Sequence, residues 1–460
     1  MTISREEMQE VAKSYEEPVG LNIGSHSALD AWQGQRNYGI RSIIYTTPLR
    51  ARIYLENPMV GMAGEEIEDL ASAVKRDLAV VEDPRDIRKD GNWRSAIIVL
   101  DMYEDIIKYA DDLVELECVQ IPNRAFSVYV GGDENCSLIE KKFGVPILGS
   151  RKLLKIENRG EVERDYYWFA EKAGIPYPKS YRFEVVKGGI RFKERVDEPM
   201  ILKAEHAART LEREFIFASD SSDMEEKVAK EVRLGNLNRA SLERARAEQI
   251  VLGPHANLNF FFSPLDAKSD WGDAERAMAK LYGLSIEDAR ACLSNQFLSI
   301  DERRETILDG LKRLPMDVQE KITKTPSFEV TCHLPMSLRE SLLKEAHRFA
   351  DAFLLATRKH EPPGIIGAWC LQTLITWQKI GPGTAVKFGL YDVPEGKESY
   401  VHLPVTQDVA LRHGGGTNTH MGIGAQYSNA KYGRTMSMGD RIALEIKRAR
   451  ELGSLPDIVT

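Results

Sequence analysis

An α/β amino-terminal part followed by α+β structure is the fold class predicted by this 460-residue sequence. Three observations predict it. Val19–Ile23, a helical run over Ala28–Asn37 and Ile40–Tyr45 read as a strand–helix–strand unit. Ala173-Gly174-Ile175-Pro176-Tyr177-Pro178 stops a charged helix and marks a domain junction. Beyond it, strand-like runs gather before the next helices instead of alternating with them.

In chain order, Gly24-Ser25-His26-Ser27 is the turn after the first strand; Leu29 and Trp32 mark the buried side of the helix and Gly39 its end. Ser95–Leu100 reads as a strand, Met102–Tyr109 as an amphipathic helix and Leu116–Ile121 as a further strand. Residues 1–148 are therefore expected to form an open α/β domain, and 149–460 the rest. Glu161–Gly174 is helical, and Tyr181–Val186, Met200–Lys203 and Phe215–Ala218 are strand-like. A charged helix, Asp223–Arg233, precedes two more strands at Gln249–Leu252 and Leu258–Phe262. Asp266–Asn295 is mostly helical, Ser341–Thr357 is an amphipathic helix, and Met438–Leu452 carries Ile442, Leu444 and Ile446 on its apolar side. Lys187–Gly189, Gly381–Gly383 and Pro394–Lys397 read as loops. No repeat or low-complexity segment interrupts this order.

Composition narrows the function. Hydrophobic residues make up 43% and charged residues 29%, as in ordinary soluble domains. The net charge of -8 supplies no global drive towards nucleic acid or an anionic membrane. The longest apolar run, Ile365–Trp377, is interrupted by Gln372 and two threonines and falls short of the roughly 20 residues a span needs. Met1–Pro18 carries seven charged residues, which is wrong for a signal peptide, so a cytoplasmic location is expected. Five scattered cysteines without a C-x-x-C spacing encode neither a disulfide framework nor a structural zinc site. Cys332-His333 is a poor metal pair, because adjacent strand residues point to opposite faces.

Four constellations could carry chemistry. The Gly24–Ser27 turn lies at a strand's carboxyl end, where backbone N–H groups and a helix N-terminus favour a phosphate or carboxylate and His26 could bind substrate. Taken alone, a capped helix with a surface histidine is the simpler account. Lys203 ends an apolar run and could hold phosphate oxygens, although strands often end in a solvated lysine. Glu248–Gly253 could clamp an adenine edge or be a plain edge strand. In the fourth, period-2 alternation puts Asp408, Ala410 and Arg412 on one strand face before Gly414-Gly415-Gly416. With Gln372 as a second oxygen ligand this suits Mg²⁺ and a nucleotide phosphate, and the glycines allow close backbone approach. An exposed salt bridge before a flexible loop is the alternative.

In sequence, these features resemble the ATP-grasp superfamily: an α/β pre-domain, a lid with a strand lysine, an adenine-binding hinge and two metal-ligand strands. The wording is closest to the archaeal formate-dependent synthetases that make the formyl-AICAR nucleotide of purine biosynthesis, the PurP type. The matching stretches are Gly24–Ser27; Phe143–Leu154, FGVPILGSRKLL; Ala173–Lys179, AGIPYPK; Phe261–Leu265, FFSPL; Asp301–Leu311, DERRETILDGL; Arg339–Leu343, RESLL; and Pro363–Leu374, PGIIGAWCLQTL. The longest lies in Asp408–Asn418, DVALRHGGGTN, and Tyr427–Lys447, YSNAKYGRTMSMGDRIALEIK.

The resemblance implies a Rossmann-like pre-ATP-grasp domain over 1–148 and an ATP-grasp domain over 149–460. Its lid would span about 179–256 and its core about 257–460, with insertions near 266–298 and 380–406. It implies a homo-oligomer acting on small molecules, with ATP and Mg²⁺ or Mn²⁺ as cofactors. Formate would attack the γ-phosphate to give formyl phosphate, whose phosphate the 5-amino group of AICAR then displaces. Lys203, Glu248, Gln249, Val251 and His255 would bind ATP, and Gln372 and Asp408 would hold the metal. Arg412 and Lys203 would be catalytic, and Ser25, His26, Ser27, Arg303, Thr417 and Asn418 would bind substrate.

The chain departs from the family pattern in places. Its lid loop, AEHAARTLERE, has no glycine and carries Glu205, Glu212 and Glu214, leaving Arg209 or Arg213 to cover phosphates. Asn123-Arg124-Ala125 replaces a histidine-glycine-serine run, Ile307 an asparagine, and Asp408 a glutamate. A paralogous ligase using another acid or amine, or a non-catalytic nucleotide-binding subunit, are the alternative expectations.

Overall fold

Five strands near the amino terminus form a parallel sheet in the order β3-β4-β2-β1-β5 in a computed structural model of the chain. The structure describes residues 2–61, 69–131, 136–157, 162–207, 209–319, 321–322, 330–380, 386–393, 399–416 and 427–460. The strands are β1 (Val19–Ile23), β2 (Ser42–Thr46), β3 (Leu78–Val81), β4 (Ser95–Val99) and β5 (Cys118–Ile121). Every residue of β1 and β2 is buried, because a parallel sheet is covered on both faces. The helix Ala28–Asn37 has the limits its pattern predicts, and Gly39, at φ 69°, turns the chain back into β2.

A second, antiparallel sheet has the order β10-β9-β11-β6, with β6 at Ser180–Tyr181, β9 at Met200–His206, β10 at Arg209–Ala218 and β11 at Arg246–Gln249. Beside it lies a hairpin of β7 (Phe183–Val186) and β8 (Gly189–Phe192). The helix Ser221–Leu234 packs on this unit, started by Asp220, which accepts from Ser222 and Asp223 N–H, and ended by Gly235 at φ 78°. The third sheet is antiparallel, ordered β14-β13-β12-β15-β18. Its strands are β12 (His255–Phe262), β13 (Asn295–Glu305), β14 (Val330–Pro335), β15 (Gly367–Ile380) and β18 (Ser399–Ala410), and a small hairpin pairs β16 (Val386–Phe388) with β17 (Tyr391–Val393). The helix Glu340–His360 covers this sheet with Phe349, Phe353 and Leu354 against Phe260, Trp369 and Val405.

Several segments differ from expectation. Residues 103–109 are a 3₁₀ helix: the Tyr103 hydroxyl donates to Gly24 O at 2.6 Å and its ring stacks on Tyr129, so tertiary anchoring sets the winding. The run Tyr181–Val186 is broken at Arg182, because β6 pairs with β11 while β7 pairs with β8. The strand expected at Gln249–Leu252 ends at Gln249, where the chain turns past the Ile375 carbonyl at Gly253. The helix expected from Glu161 begins at Tyr166, on an Asp165 cap. Residues 264–293 fold as the helices Pro264–Ala267, Asp273–Tyr282 and Ile286–Leu293. The loops at 381–383 and 394–397 lie outside the described residues.

The carboxyl-terminal helix, Met438–Glu451, crosses the helix Ala28–Asn37 of the first layer. A Cβ on Gly34 would overlap the Gly439 carbonyl, and one on Gly439 the Asp30 carbonyl, so glycine at both positions permits the crossing. Asp30 fastens it, accepting from Gly439 N at 3.1 Å and pairing with His413 Nε2 at 2.9 Å. No helix among the described residues is long and apolar enough to cross a membrane.

Candidate active site

The chain just beyond β18 and the β1 turn come together here, joined by Ser27 and Asp30 against His413. His413 makes a parallel bridge to Asn123, its N–H donating to Pro122 O at 3.0 Å, and Asn123 Nδ2 donates to Ser25 O at 2.9 Å. His26 sits in this turn at φ 50°, a strained conformation for a residue with a side chain. Its ring is exposed yet walled by protein. Desolvation, then the fields of Arg412, Arg124, Arg50 and His333, lower its pKa to about 4, so it is neutral beside three arginines.

Those cations arrive from separate elements. Arg50 donates to Ser25 Oγ at 2.6 Å and to the Tyr129 hydroxyl at 3.2 Å. Arg412 lies beyond the last residue of β18 and is buried, where it pairs closely with Glu157. Arg124 reaches the same carboxylate at 3.3 Å, and Leu411 N–H donates to it at 3.1 Å. One carboxylate thus compensates two arginines, leaving a cleft that suits an anionic ligand. Ser27 is fully buried and its hydroxyl lies 3.5 Å from His413 O, so it holds the strand end instead of lining the cleft. Thr417 and Asn418 lie outside the described residues.

Gln372 and Asp408 are directly paired across β15 and β18, with a bulge immediately beyond them. The pair offers a carboxylate and an amide oxygen from adjacent strands, a donor set that fits Mg²⁺, which takes one or two protein oxygens and fills its shell with water and phosphate. Arg303, on β13, donates to Gln372 Oε1. Burial lowers the pKa of Arg412, and the fields of Glu157 and, more weakly, Asp408 oppose that shift, so the metal-type pair and the cationic region adjoin. His255 contacts Gln407 at 2.8 Å and lies 3.7 Å from Glu305; burial, then Arg303, Lys312 and Lys203, lower its pKa to about 4.

Lys203 and Glu248 pair at 2.7 Å across β9 and β11, and Tyr167 donates to the same carboxylate. The Arg246 guanidinium stacks 3.4 Å over the Tyr167 ring. Glu248 is fully buried, so the lysine and its acid face inward together. Gln249 Oε1 accepts from Lys179 N at 3.4 Å, and Val251 packs in the core beside Phe260 and Tyr177. The side chains at 205, 206 and 209–213 of the lid loop, and at Ile307, lie outside the described residues.

Sequence reasoning missed Glu157, Arg50, Asn257, Asn259 and Asp301, and weighed His333 only as a poor metal ligand beside Cys332. Asp301 is fully buried on β13; it accepts from Asn257 Nδ2 and Asn259 Nδ2, each at 2.7 Å, and pairs with His333 Nδ1 at 2.6 Å. The available signal was the alternation Asp301, Arg303, Glu305, which places three charged side chains on one strand face.

A family model described as "Domain of unknown function (DUF1297)" matches residues 223–460, and another described as "Protein of unknown function (DUF1246)" matches 21–181. Among curated proteins, the chain is 28% identical over 462 residues, with all of both chains covered, to a protein of Methanopyrus kandleri named 5-formaminoimidazole-4-carboxamide-1-(beta)-D-ribofuranosyl 5'-monophosphate synthetase. A protein of that name from Methanothermobacter thermautotrophicus is 28% identical over 365 residues, covering 79% of this chain and 82% of that one. The crystal structure of an IMP biosynthesis protein PurP from Thermococcus kodakaraensis superimposes with a TM-score of 0.57 at 22% identity, covering 96% of this chain and 100% of that one. The chain shares the fold of that PurP structure and belongs to the DUF1297 family.

Proposed function

We propose that the protein is an ATP- and Mg²⁺-dependent ligase that joins formate to AICAR, giving FAICAR, ADP and phosphate through formyl phosphate. One observation carries this reading: the paired oxygens of Gln372 and Asp408 adjoin a cleft crowded by Arg50, Arg124, Arg412 and neutral His26. An acyl phosphate needs charge neutralised at the transferring phosphoryl group and an anionic nucleotide held beside it, which this arrangement supplies by position.

Gln372 and Asp408 would hold Mg²⁺, which would supply charge neutralisation at the transferring phosphoryl group. Arg303 orients the Gln372 amide by donating to its oxygen. Lys203 exchanges its bond with Glu248 for nucleotide phosphate, while Glu248, Gln249, Val251 and His255 form the wall for the nucleoside. Arg412, fixed by Glu157, faces the acyl phosphate. His26, Ser25 and Arg50 hold the nucleotide amine at the β1 turn. In this division residues 1–148 supply the amine-binding half and 149–460 the ATP-grasp part, with its lid over about 179–256.

Incubation with ATP, Mg²⁺, formate and AICAR tests the reading, with ADP and the formyl nucleotide as products. Absence of product alongside clear ATP binding would overturn the substrates and spare the fold. Arg124, drawn to Glu157 where the family pattern has a smaller residue, favours a second reading with another acid or amine. An ADP-release screen over small acids and amines separates the two.

A further inference from the structure

We infer that His333 is the proton acceptor for the attacking amine, and that Asp301 is its positioning residue. The inference rests on the ligase reading and supplies a group that reading lacks. The arginines of the site can hold an anion but cannot take a proton from the amine as it becomes an amide, and His26, its pKa lowered to about 4, is a weak base.

The geometry is that of an oriented imidazole. Asp301 is fully buried. Burial raises its pKa, but hydrogen bonds from His333, Asn259 and Asn257 outweigh this and the net shift is downward, so it is a carboxylate that only accepts. Nδ1 of His333 at 2.6 Å must therefore carry the ring proton, which leaves the lone pair on Nε2. The ring is only partly buried. Its Nε2 faces the glycine run: a Cβ on Gly415 would stand 3.7 Å from that atom, and one on Gly416 would overlap the Asp301 carboxylate. The same ring lies in the field of His26. The proton-accepting atom thus stands beside the Gly414–Gly416 loop and within the field that reaches His26 on the β1 turn, where the ligase reading places the nucleotide amine.

The step balances without another reagent. The amine nitrogen forms a bond to the formyl carbon, and the carbon–oxygen bond to phosphate breaks, its electron pair leaving with phosphate. The amine proton passes to Nε2, and the departing phosphate can recover it. General-base assistance of this kind contributes about 10²–10⁴-fold.

Replacing the ring separates this role from acyl-phosphate formation. Hydroxylamine traps formyl phosphate without help from a protein base, so it reports the first half-reaction. His333→Gln is expected to lower transfer to AICAR by about 100-fold or more at saturating substrate, with trapping by hydroxylamine kept within about threefold of wild type. Imidazole is expected to restore transfer in His333→Ala. Asp301→Asn is expected to lower kcat for transfer with KM for AICAR little changed, and thermal unfolding of each variant separates this from loss of fold. Transfer by folded His333→Gln within threefold of wild type, or a fall in trapping equal to the fall in transfer, would overturn the role. A wild-type enzyme that makes no formyl product overturns the ligase reading itself, so the two failures are distinct.

Discussion

A bulge adjoins Asp408 and Gln372: Thr373 pairs with Thr406, leaving Gln407 as the extra residue, whose side chain meets His255. Asp408→Asn keeps the strand and removes the charge. It is expected to lower turnover about 100-fold and raise the Mg²⁺ concentration needed for half-maximal rate, measured by metal titration of ADP release. His255 predicts a pH effect. Its folded pKa of about 4 lies below the ordinary 6.5, so the unfolded chain binds the proton first as pH falls. Its contribution to stability is complete above about pH 6.5 and is lost towards pH 4. Asp351, pushed up to about 7 by burial, acts in the opposite sense, so the total slope does not isolate the histidine. The difference in denaturant midpoint between wild type and His255→Gln is expected to shrink from pH 7 to pH 5. At this scale His26 was legible as a candidate from its turn, and Asp408 and Arg412 from their alternation before the glycine run. Asp301 and His333 were not, since 32 residues separate partners that only strand pairing joins.

Elements were legible where one local signal dominated. The helix Ala28–Asn37 combines an apolar spacing with a glycine stop, and its predicted limits match the observed ones. The 3₁₀ helix at Tyr103–Tyr109 was not legible, because a hydroxyl bond to Gly24 O and a stack on Tyr129 override local preference. Nor was the crossing of the helices Ala28–Asn37 and Met438–Glu451, whose glycines carry no periodic signal from either end of the chain. This crossing is a stability prediction. Gly439→Ala places a methyl group into the Asp30 carbonyl and is expected to cost about 1–3 kcal/mol, by overpacking, in denaturant unfolding. Substitution at Gly433, where nothing stands near the Cβ position, provides the comparison, although its φ of 62° adds backbone strain of its own.

Across the whole molecule, the two antiparallel sheets and the parallel sheet supply the candidate side chains, a grouping that only the resemblance suggested. Composition and spacing established two kinds of architecture, but nothing local specifies how a parallel sheet faces an antiparallel one. A ligand held by several layers stabilises them together. ATP with Mg²⁺ at 100 times its Kd is expected to add about 2.7 kcal/mol to unfolding, and chelation of the metal to remove most of it, as read by thermal melts. The bridge between Asn123 and His413 has a further consequence. The strand end that presents Arg412 leans on the loop after β5, while Ser27 and Asp30 hold the same histidine. Neither half of the chain therefore owns the cleft. If the chain were cut between β5 and β6, catalysis by the two fragments would depend on their concentrations, and turnover would serve as an assay of their docking.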